Sequence, residues 1–392
     1  MNIALFASAF YPSLGGVEEL VRQLAHEQQS VGDQPLVLVN RWPRSLPRRE
    51  QVEGIPVRRL AMRVPDGSLK AHVVYRATHS AIRREMIAVL REARSEILHV
   101  QCVSSNGFYA LEASRALGLP LIVTLQGELT MDASGLYQRS AFARAVLREV
   151  LQAADAITAC SQQTLQEAEA FYDAPFGARG HTIYNGVKLS EFHDAAPYFH
   201  PRPYILAIGR HVPQKGFDLL LQAFALAVHQ GGGTHDLLIA GCGSETQALE
   251  RLAGNLDLGD RVQFLGRADR AMAVSLFLAC SFFVLPSRHE PLGIVNLEAM
   301  AAGKAVIASH VGGVPEIVAD GETGLVVPPQ DIDELSAAIR RLIQDVALRD
   351  RLGQAGARRA RRFDWPAVAE QYHQVYSTAI QGRAESKWPE KG

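Results

Sequence analysis

Arg210 and Lys215 follow closely on an apolar run, Tyr204 to Ile208, that reads as a buried strand. Open α/β sheets bind ligands beyond the carboxyl ends of their strands, and two cations there suit a diphosphate. Either side chain could instead be an ordinary surface ion-pair partner. A second segment, LPSRHEPLGIVNLEAMAAGKAVIAS from Leu285, places Glu290 in the loop after another apolar run. Pro291-Leu292-Gly293 then opens a helix bearing Glu298. Eight helical residues cover about 12 Å, the reach from a transferred sugar, past a pyrophosphate, to the ribose of a sugar nucleotide. The helix start would offer backbone N–H groups and a positive dipole end to the phosphates. A carboxylate at each flank would accept hydroxyl hydrogen bonds from the two sugars. Without such a ligand, Glu290 reads as a helix-terminal charge and Glu298 as a surface residue.

The N-terminal turn, Phe10-Tyr11-Pro12-Ser13-Leu14-Gly15-Gly16-Val17-Glu18, follows the first strand and opens a helix, but it is not G-x-G-x-x-G. The dinucleotide fingerprint is therefore absent, although Gly15-Gly16 at a helix start still lets a phosphate approach backbone N–H groups. Asp331-Ile332-Asp333 resembles a metal-binding D-x-D, yet Asp331 with Glu334 before Leu335 and Ile339 fits a helix cap. The thirteen histidines show no ligand spacing, and no G-x-S-x-G elbow accompanies the serines. His289, beside Glu290, reads as an exposed loop residue. Cys102, Cys160, Cys242 and Cys280 are scattered singly, so neither a disulfide framework nor a zinc site is expected. Three of them adjoin apolar runs and read as small buried side chains.

The elements that must hold these residues alternate along the chain. Ile3 to Ala7, Pro35 to Val39, Ile97 to Val100, Leu121 to Leu125 and Ala156 to Ala159 read as buried strands of a first half. Tyr204 to Ile208, Leu237 to Ala240, Val262 to Leu265, Phe282 to Leu285, Ala305 to Ala308 and Leu325 to Val327 read likewise in a second. Helical patterns intervene at Val17 to Gln29, Leu219 to His229, Val295 to Ala302 and Asp333 to Gln344. Continuous apolar strands separated by helices mark parallel α/β sheets covered on both faces. The proline-rich stretch from Lys188 to Pro203 has no clean period and reads as an interdomain linker. Two doubly wound domains of five or six strands follow, facing across a cleft.

Composition narrows the function classes. Forty Lys plus Arg balance 41 Asp plus Glu, which argues against a dedicated nucleic-acid binder. No run of about 18 apolar residues exists to span a bilayer, and the start, Met1 to Phe6, lacks the basic flank of a signal peptide. From Arg41 to Arg94, however, 13 Arg or Lys face 5 Asp or Glu. That surplus suits anionic lipid or an anionic acceptor, or simply solvated helix faces.

The Glu290-to-Glu298 segment resembles the E-x-seven-E motif of retaining glycosyltransferases of family four, which have the GT-B fold. The resemblance covers nearly the whole chain. It runs through Tyr11-Pro12 with Gly15-Gly16, Tyr184-Asn185-Gly186-Val187, Gly209-Arg210 with Lys215-Gly216, Ile239-Ala240-Gly241-Cys242-Gly243, Phe264-Leu265-Gly266 and Gly312-Gly313-Val314-Pro315-Glu316. It implies that Arg210 and Lys215 bind the donor diphosphate and stabilise the departing nucleotide. Glu290 would face the transferred sugar, and Glu298 would bind the ribose. Leu292, Gly293 and Ile294 would lend N–H groups to phosphate and sugar, Arg267 would lie by the base, and Gly16 would approach the phosphates. One position departs from the pattern: Gln126 stands where members often carry a sugar-contacting His, and Gln101 where a second His is frequent. Glutamine can orient a hydroxyl but cannot titrate near neutrality. In the family, a C-terminal helix covers the first domain; here Val368, Tyr372, Val375 and Tyr376 share one face, with fraying expected after about Gln381.

The expected architecture is α/β, of GT-B type, with domains at 1–190 and 203–362 and a crossover helix at 363–380. The expected activity is transfer of a hexosyl group from a nucleotide diphosphate sugar, most simply a UDP-sugar, to a hydroxyl acceptor, with retention and without metal or other cofactor. The acceptor would be anionic or lipid-linked, the compartment cytoplasmic, and peripheral membrane contact would rest on the arginine surplus. The rivals are a nucleotide-sugar epimerase or hydrolase, and a non-catalytic sugar-nucleotide-binding partner.

Overall fold

Strands without a polar face must be covered on both sides, and here they pair in parallel within two separate sheets. The computed structural model describes residues 1–13, 15–62, 69–131, 136–229, 233 and 235–387. Of the residues singled out above, Leu14 lies outside that set, as do Arg63 and Asp66 of the Arg41–Arg94 count. The chain divides into unit 1, Met1–Tyr184 with Trp365 onward, and unit 2, Asn185–Asp364.

Unit 1 comprises β1 (Asn2–Ala7), α1 (Gly16–Ser30), β2 (Gln34–Asn40), β3 (Arg49–Val52), β4 (Ile55–Leu60), α2 (Leu69–Glu92), β5 (Ile97–Gln101) and α3 (Ser105–Leu117). It continues through β6 (Leu121–Leu125), α4 (Glu128–Met131), α5 (Leu136–Arg139), α6 (Ala141–Ala153), β7 (Ala156–Ala159), α7 (Gln162–Tyr172) and β8 (Gly180–Thr182). Its sheet order is β3-β4-β2-β1-β5-β6-β7-β8, parallel except for the β3–β4 hairpin. The sheet thus has eight strands rather than five or six. β3, β4 and β8 escape the apolar criterion because they are short or carry arginines. Alternate residues of β1 feed opposite cores: Ile3 and Leu5 pack with α1, whereas Ala4 and Phe6 join the layer under α2, α3 and α6.

Unit 2 comprises β9 (Tyr204–Ile208), α8 (Phe217–His229), β10 (Asp236–Ala240), α9 (Thr246–Asn255), β11 (Val262–Gly266), α10 (Arg270–Ala279), β12 (Phe282–Leu285) and α11 (Ile294–Ala301). Then follow β13 (Val306–Ser309), α12 (Val314–Ile317), β14 (Gly324–Val327), α13 (Ile332–Gln344) and α14 (Val346–Ala360). All six strands are parallel, in the order β11-β10-β9-β12-β13-β14. The order reverses between β9 and β12, as it does between β1 and β5 in unit 1, and ligands of open α/β sheets bind outside the strand ends at such points. Asp331 caps α13 by accepting from the Glu334 N–H at 3.0 Å, the structural role its spacing suggests.

The unit boundary precedes the stretch read as a linker, and that stretch is bonded into unit 2. Leu189 N–H donates to Asp364, Tyr198 N–H to Ser275 O, and Arg270 reaches Glu191. The last helix, α15 (Trp365–Lys387), packs in unit 1, burying Val368, Tyr372, Val375 and Tyr376 beside α1. It runs beyond Gln381, where fraying was expected, and Arg383 there forks onto Asp155 at 2.7 and 3.0 Å. Cys160 and Cys280 are buried as read, but Cys102 is half-buried and Cys242 exposed; all four are free thiols. No helix among the described residues is long and apolar enough to cross a membrane.

Candidate active site

Most of the candidate residues cluster around the strand reversal of unit 2. After β9 the chain passes Gly209 and Arg210 into a 3₁₀ turn, Pro213–Lys215; after β12 it passes Pro286 to Gly293 into α11. Pairing of Ile205 with Phe282 and Leu206 with Phe283 sets the two strand ends side by side. Gly216 then brings the loops into backbone contact. At φ 67° it occupies the left-handed region, and a Cβ there would stand 2.1 Å from Pro286 O. Lys215 Nζ, one residue earlier, donates to Glu290 Oε2 at 2.5 Å, and Ser287 Oγ donates to the same oxygen at 3.1 Å. Both charged side chains are largely buried, at 13% and 7% exposure, so each depends on the other for its charge to be tolerated.

Two further contacts hold this pair in place. The Arg288 guanidinium forks onto both Asp218 oxygens at 2.7 and 2.6 Å and also donates to Pro213 O, while Arg288 N–H donates to Gln214 O. Burial disfavours a charged Asp218, but the Arg288 fork outweighs it and holds the carboxyl below its ordinary range. On the other side, Gly312 lies at φ 51°, and a Cβ on it would stand 1.9 Å from Glu290 O. Gly313 N–H donates to that oxygen at 3.3 Å and to Pro291 O at 3.1 Å. The Gly312–Glu316 motif is thus a backbone brace for Glu290.

Gly293, at φ 86°, caps α11. Helix geometry leaves the N–H groups of Ile294 and Val295 without partners inside the helix, so this end can receive an anion beside Glu290. Leu292 is buried. Glu298, on the same helix, pairs with Arg270, which also donates to Glu191 at 2.6 Å and lies 5.8 Å from the Phe192 ring centroid. Arg270 escaped the sequence reading: the pair spans a turn, a helix and a strand, and no local spacing signals it. Arg288 and Asp218 escaped for the same reason. Arg210 and Arg267 are exposed, each just past the end of its strand, β9 and β11.

Gly16 and Gln126 lie in unit 1. Gly16 starts α1, and nothing lies within 4 Å of where its Cβ would be. Gln126 Nε2 donates to Gln101 Oε1 at 3.4 Å, so the two glutamines at family histidine positions touch each other. Gln101 in turn donates to His99 Nε2 at 3.1 Å. That leaves Nδ1 carrying the proton and donating to Tyr376 of α15 at 2.6 Å. Full burial pushes the His99 ring down to about 3, so it is neutral. Glu128, beneath Gln126, accepts backbone N–H groups of Val103 at 2.5 Å and Gln126 at 2.8 Å, tying the loops after β5 and β6 together. Burial raises its pKa despite those bonds.

Residues 190–359 match the family model described as glycosyl transferases group 1, and residues 14–191 that described as glycosyltransferase family 4. The phosphatidyl-myo-inositol mannosyltransferase of Mycobacterium leprae is 30% identical over 388 residues, 96% of this chain and 97% of that protein. Sucrose-phosphate synthase from Thermosynechococcus elongatus superposes with a TM-score of 0.79 at 26% identity, covering 97% of this chain and 99% of that one. Anabaena HepE in complex with UDP superposes with a TM-score of 0.75 at 21% identity, covering 96% and 100%, a likeness of fold.

Proposed function

The chain is a glycosyltransferase of family 4 with the GT-B fold, and from that premise we propose that it transfers a hexosyl group with retention from a UDP-sugar to a hydroxyl acceptor, without a metal ion. The observation that carries this reading is the Lys215–Glu290 contact at the strand reversal, beside the N-terminus of α11. A cation, a carboxylate and a row of N–H groups within one small region match the alternation of diphosphate and sugar hydroxyls in such a donor. The UDP assignment draws on Anabaena HepE, which carries UDP on the same fold.

In this mechanism Lys215 and Arg210 neutralise the diphosphate, and the Ile294 N–H adds a hydrogen bond at the helix start. The bond from the anomeric carbon to the β-phosphate oxygen breaks as the acceptor oxygen bonds to that carbon on the same face. The acceptor proton passes to the leaving phosphate oxygen, so no protein nucleophile is consumed. Glu290 orients the sugar through its hydroxyls. Glu298 serves the ribose, in competition with or alongside Arg270. The two cations and the helix end supply charge neutralisation that a divalent metal supplies elsewhere, which is the ground for proposing metal independence.

The test is a turnover assay with UDP-glucose, UDP-galactose and UDP-N-acetylglucosamine over an acceptor panel, in EDTA and then with Mn²⁺. Transfer in EDTA giving the α-linked product supports the reading. A β-linked product overturns retention, and activity only with Mn²⁺ overturns metal independence. Rapid UDP release with no acceptor present marks a hydrolase instead.

A further inference from the structure

A cavity of about 320 Å³ opens in unit 1, lined by Arg41, Arg44, Arg48 and Arg59 together with a stripe of α2. Its place in the fold is informative. Arg41 is the first residue after β2, and of Leu60 and Ala61, which also line the cavity, the first ends β4 and the second follows it. The cavity therefore sits beyond the carboxyl ends of two parallel strands, on the ligand-binding edge of the sheet. The opposite wall is Val74, Ala77, Thr78, Ala81, Ile82 and Glu85, one helical face at three- and four-residue spacing. Two alanines keep that face low and leave room for a ligand.

The charge is unbalanced. Four guanidinium groups share the lining with one carboxylate, Glu85, which lies 3.4 Å from Arg48. Arg59 is fully buried; it pairs with Glu50 and donates to Tyr11 O, in the turn that leads to Gly16. Arg41 donates through Nε to Leu46 O at 2.8 Å, and Arg44 is exposed. All four cations are arginines. A planar fork binds a tetrahedral or planar oxyanion through paired donors, which the point charge of lysine does not. Trp42, between two of these arginines, is 70% exposed, and Val73 next to the α2 stripe is 61% exposed. Apolar surface thus adjoins the charged lining.

We propose that this cavity is a binding subsite for the phosphate group of the acceptor, with the acceptor's apolar or ring portion lying on the Val74–Ile82 face of α2. The proposal rests on the transferase reading above and deepens it: the acceptor is a phosphate ester, and Arg41 and Arg44 are its principal anion donors. Arg59 connects the subsite to the turn after β1 and keeps the cavity's inner wall fixed.

The experiment uses the full chain and two kinds of phosphate probe. Phenyl phosphate is titrated calorimetrically, and sedimentation is measured with phosphatidylcholine vesicles with and without phosphatidylglycerol. The variants are Arg44→Gln, which removes a donor, and Ala81→Leu, which fills the cavity without altering charge. Arg91→Gln, an exposed arginine of α2 outside the lining, is the control. At least one probe is expected to bind the unmodified chain, and Arg44→Gln and Ala81→Leu should each weaken it about tenfold, the effect of one charge-assisted bond. Arg91→Gln should leave it unchanged. Binding of phenyl phosphate alone assigns a soluble phosphate ester; binding of the anionic vesicles alone, or of both, assigns a lipid headgroup. The proposal is overturned if neither probe binds, if Arg91→Gln weakens binding as much as Arg44→Gln, or if Ala81→Leu has no effect. A parallel titration with UDP separates the two readings. If UDP binds the unmodified chain while the phosphate probes fail, the subsite is wrong and the transferase reading stands; if UDP does not bind, that reading fails by itself.

Discussion

The carboxyl ends of the two sheets are made of different material. In unit 2 the loops after β9 and β12 are pressed backbone to backbone by Gly216 and Gly312, and they carry a buried ion pair, Lys215 with Glu290, held by the Arg288–Asp218 fork. In unit 1 the loops after β5 and β6 are tied by the buried Glu128 carboxyl group and present two touching amides, Gln101 and Gln126, beside a neutral His99 that reaches α15. A group of four arginines of unit 1 lies around the cavity after β2 and β4, where three of the four are on the surface or near it. The difference fits the roles proposed for each surface. Stabilising a leaving group needs charge at one fixed point, and close backbone packing supplies that rigidity. Orienting a hydroxyl needs only hydrogen bonds, which the Gln126 and Gln101 amides can provide.

Four tests would break or sharpen this contrast, the largest in unit 2. Lys215→Ala should lower kcat/KM by about 10²–10³-fold, the loss usual for a group that stabilises developing charge; steady-state assays on variant protein with an unchanged circular-dichroism spectrum check it. Full activity in that variant would remove the charged site from the mechanism.

The next effect is on stability and is shared by the two units down to about pH 5, with His99 of unit 1 and His235 of unit 2 contributing about equally there. Because burial holds His99 at about 3, the unfolded chain binds a proton below the ordinary pKa of 6.5 and the folded chain does not. Stability is therefore whole above about pH 6.5 and falls as the pH drops, by about 2 kcal/mol at pH 5 from this residue. His235 in unit 2, pushed to about 4 chiefly by burial, acts with the same sign but stops contributing near pH 4, whereas His99 continues to about pH 3. Urea denaturation of the unmodified chain and His99→Gln from pH 7 to 5 should show a shallower pH slope in the variant.

Arg288→Lys should lower kcat by about tenfold, because lysine keeps the charge and loses the fork, with a smaller change in the donor KM. Asp218→Asn should match it, and the double variant should be no worse than either single one. The smallest effect is expected from Gln126→His, which restores the residue frequent in the family. If the position only orients a hydroxyl, kcat at pH 8 should change less than about fivefold. A new acidic limb in the pH–rate profile would show that unit 1 also carries titratable chemistry.

Much of the frame is readable in one dimension, and the exceptions are specific. Leu121–Leu125, Ala156–Ala159, Tyr204–Ile208 and Phe282–Leu285 are found where their apolar runs lie, because a strand covered on both faces has no polar alternation to confuse it. The β3–β4 hairpin was missed because Arg49, Glu50, Arg58 and Arg59 look like a surface segment. Arg59 is nevertheless among the most deeply buried large side chains, tolerated because Glu50 and the Tyr11 carbonyl meet its donors. Glu290, Lys215 and Gly293 were visible because residue type and nearness to a strand end carry the signal. Arg288, Asp218 and Arg270 were not, since each acts through a partner far along the chain.

What the order of residues determined by itself is therefore local: two runs of parallel strands, helix starts, and the residue types that suit a diphosphate between sugars. Those depend on periodicity and on chemistry within a dozen residues. Only the tertiary structure decided the rest. It placed β9 beside β12 so that Lys215 meets Glu290 across 75 positions of sequence, and it returned α15 to unit 1 over His99. It also joined Gln101 to Gln126 and gathered scattered arginines around one cavity. Strand order and long-range pairing arise from the burial of whole faces against one another, a property of the packed chain that no short stretch of it contains.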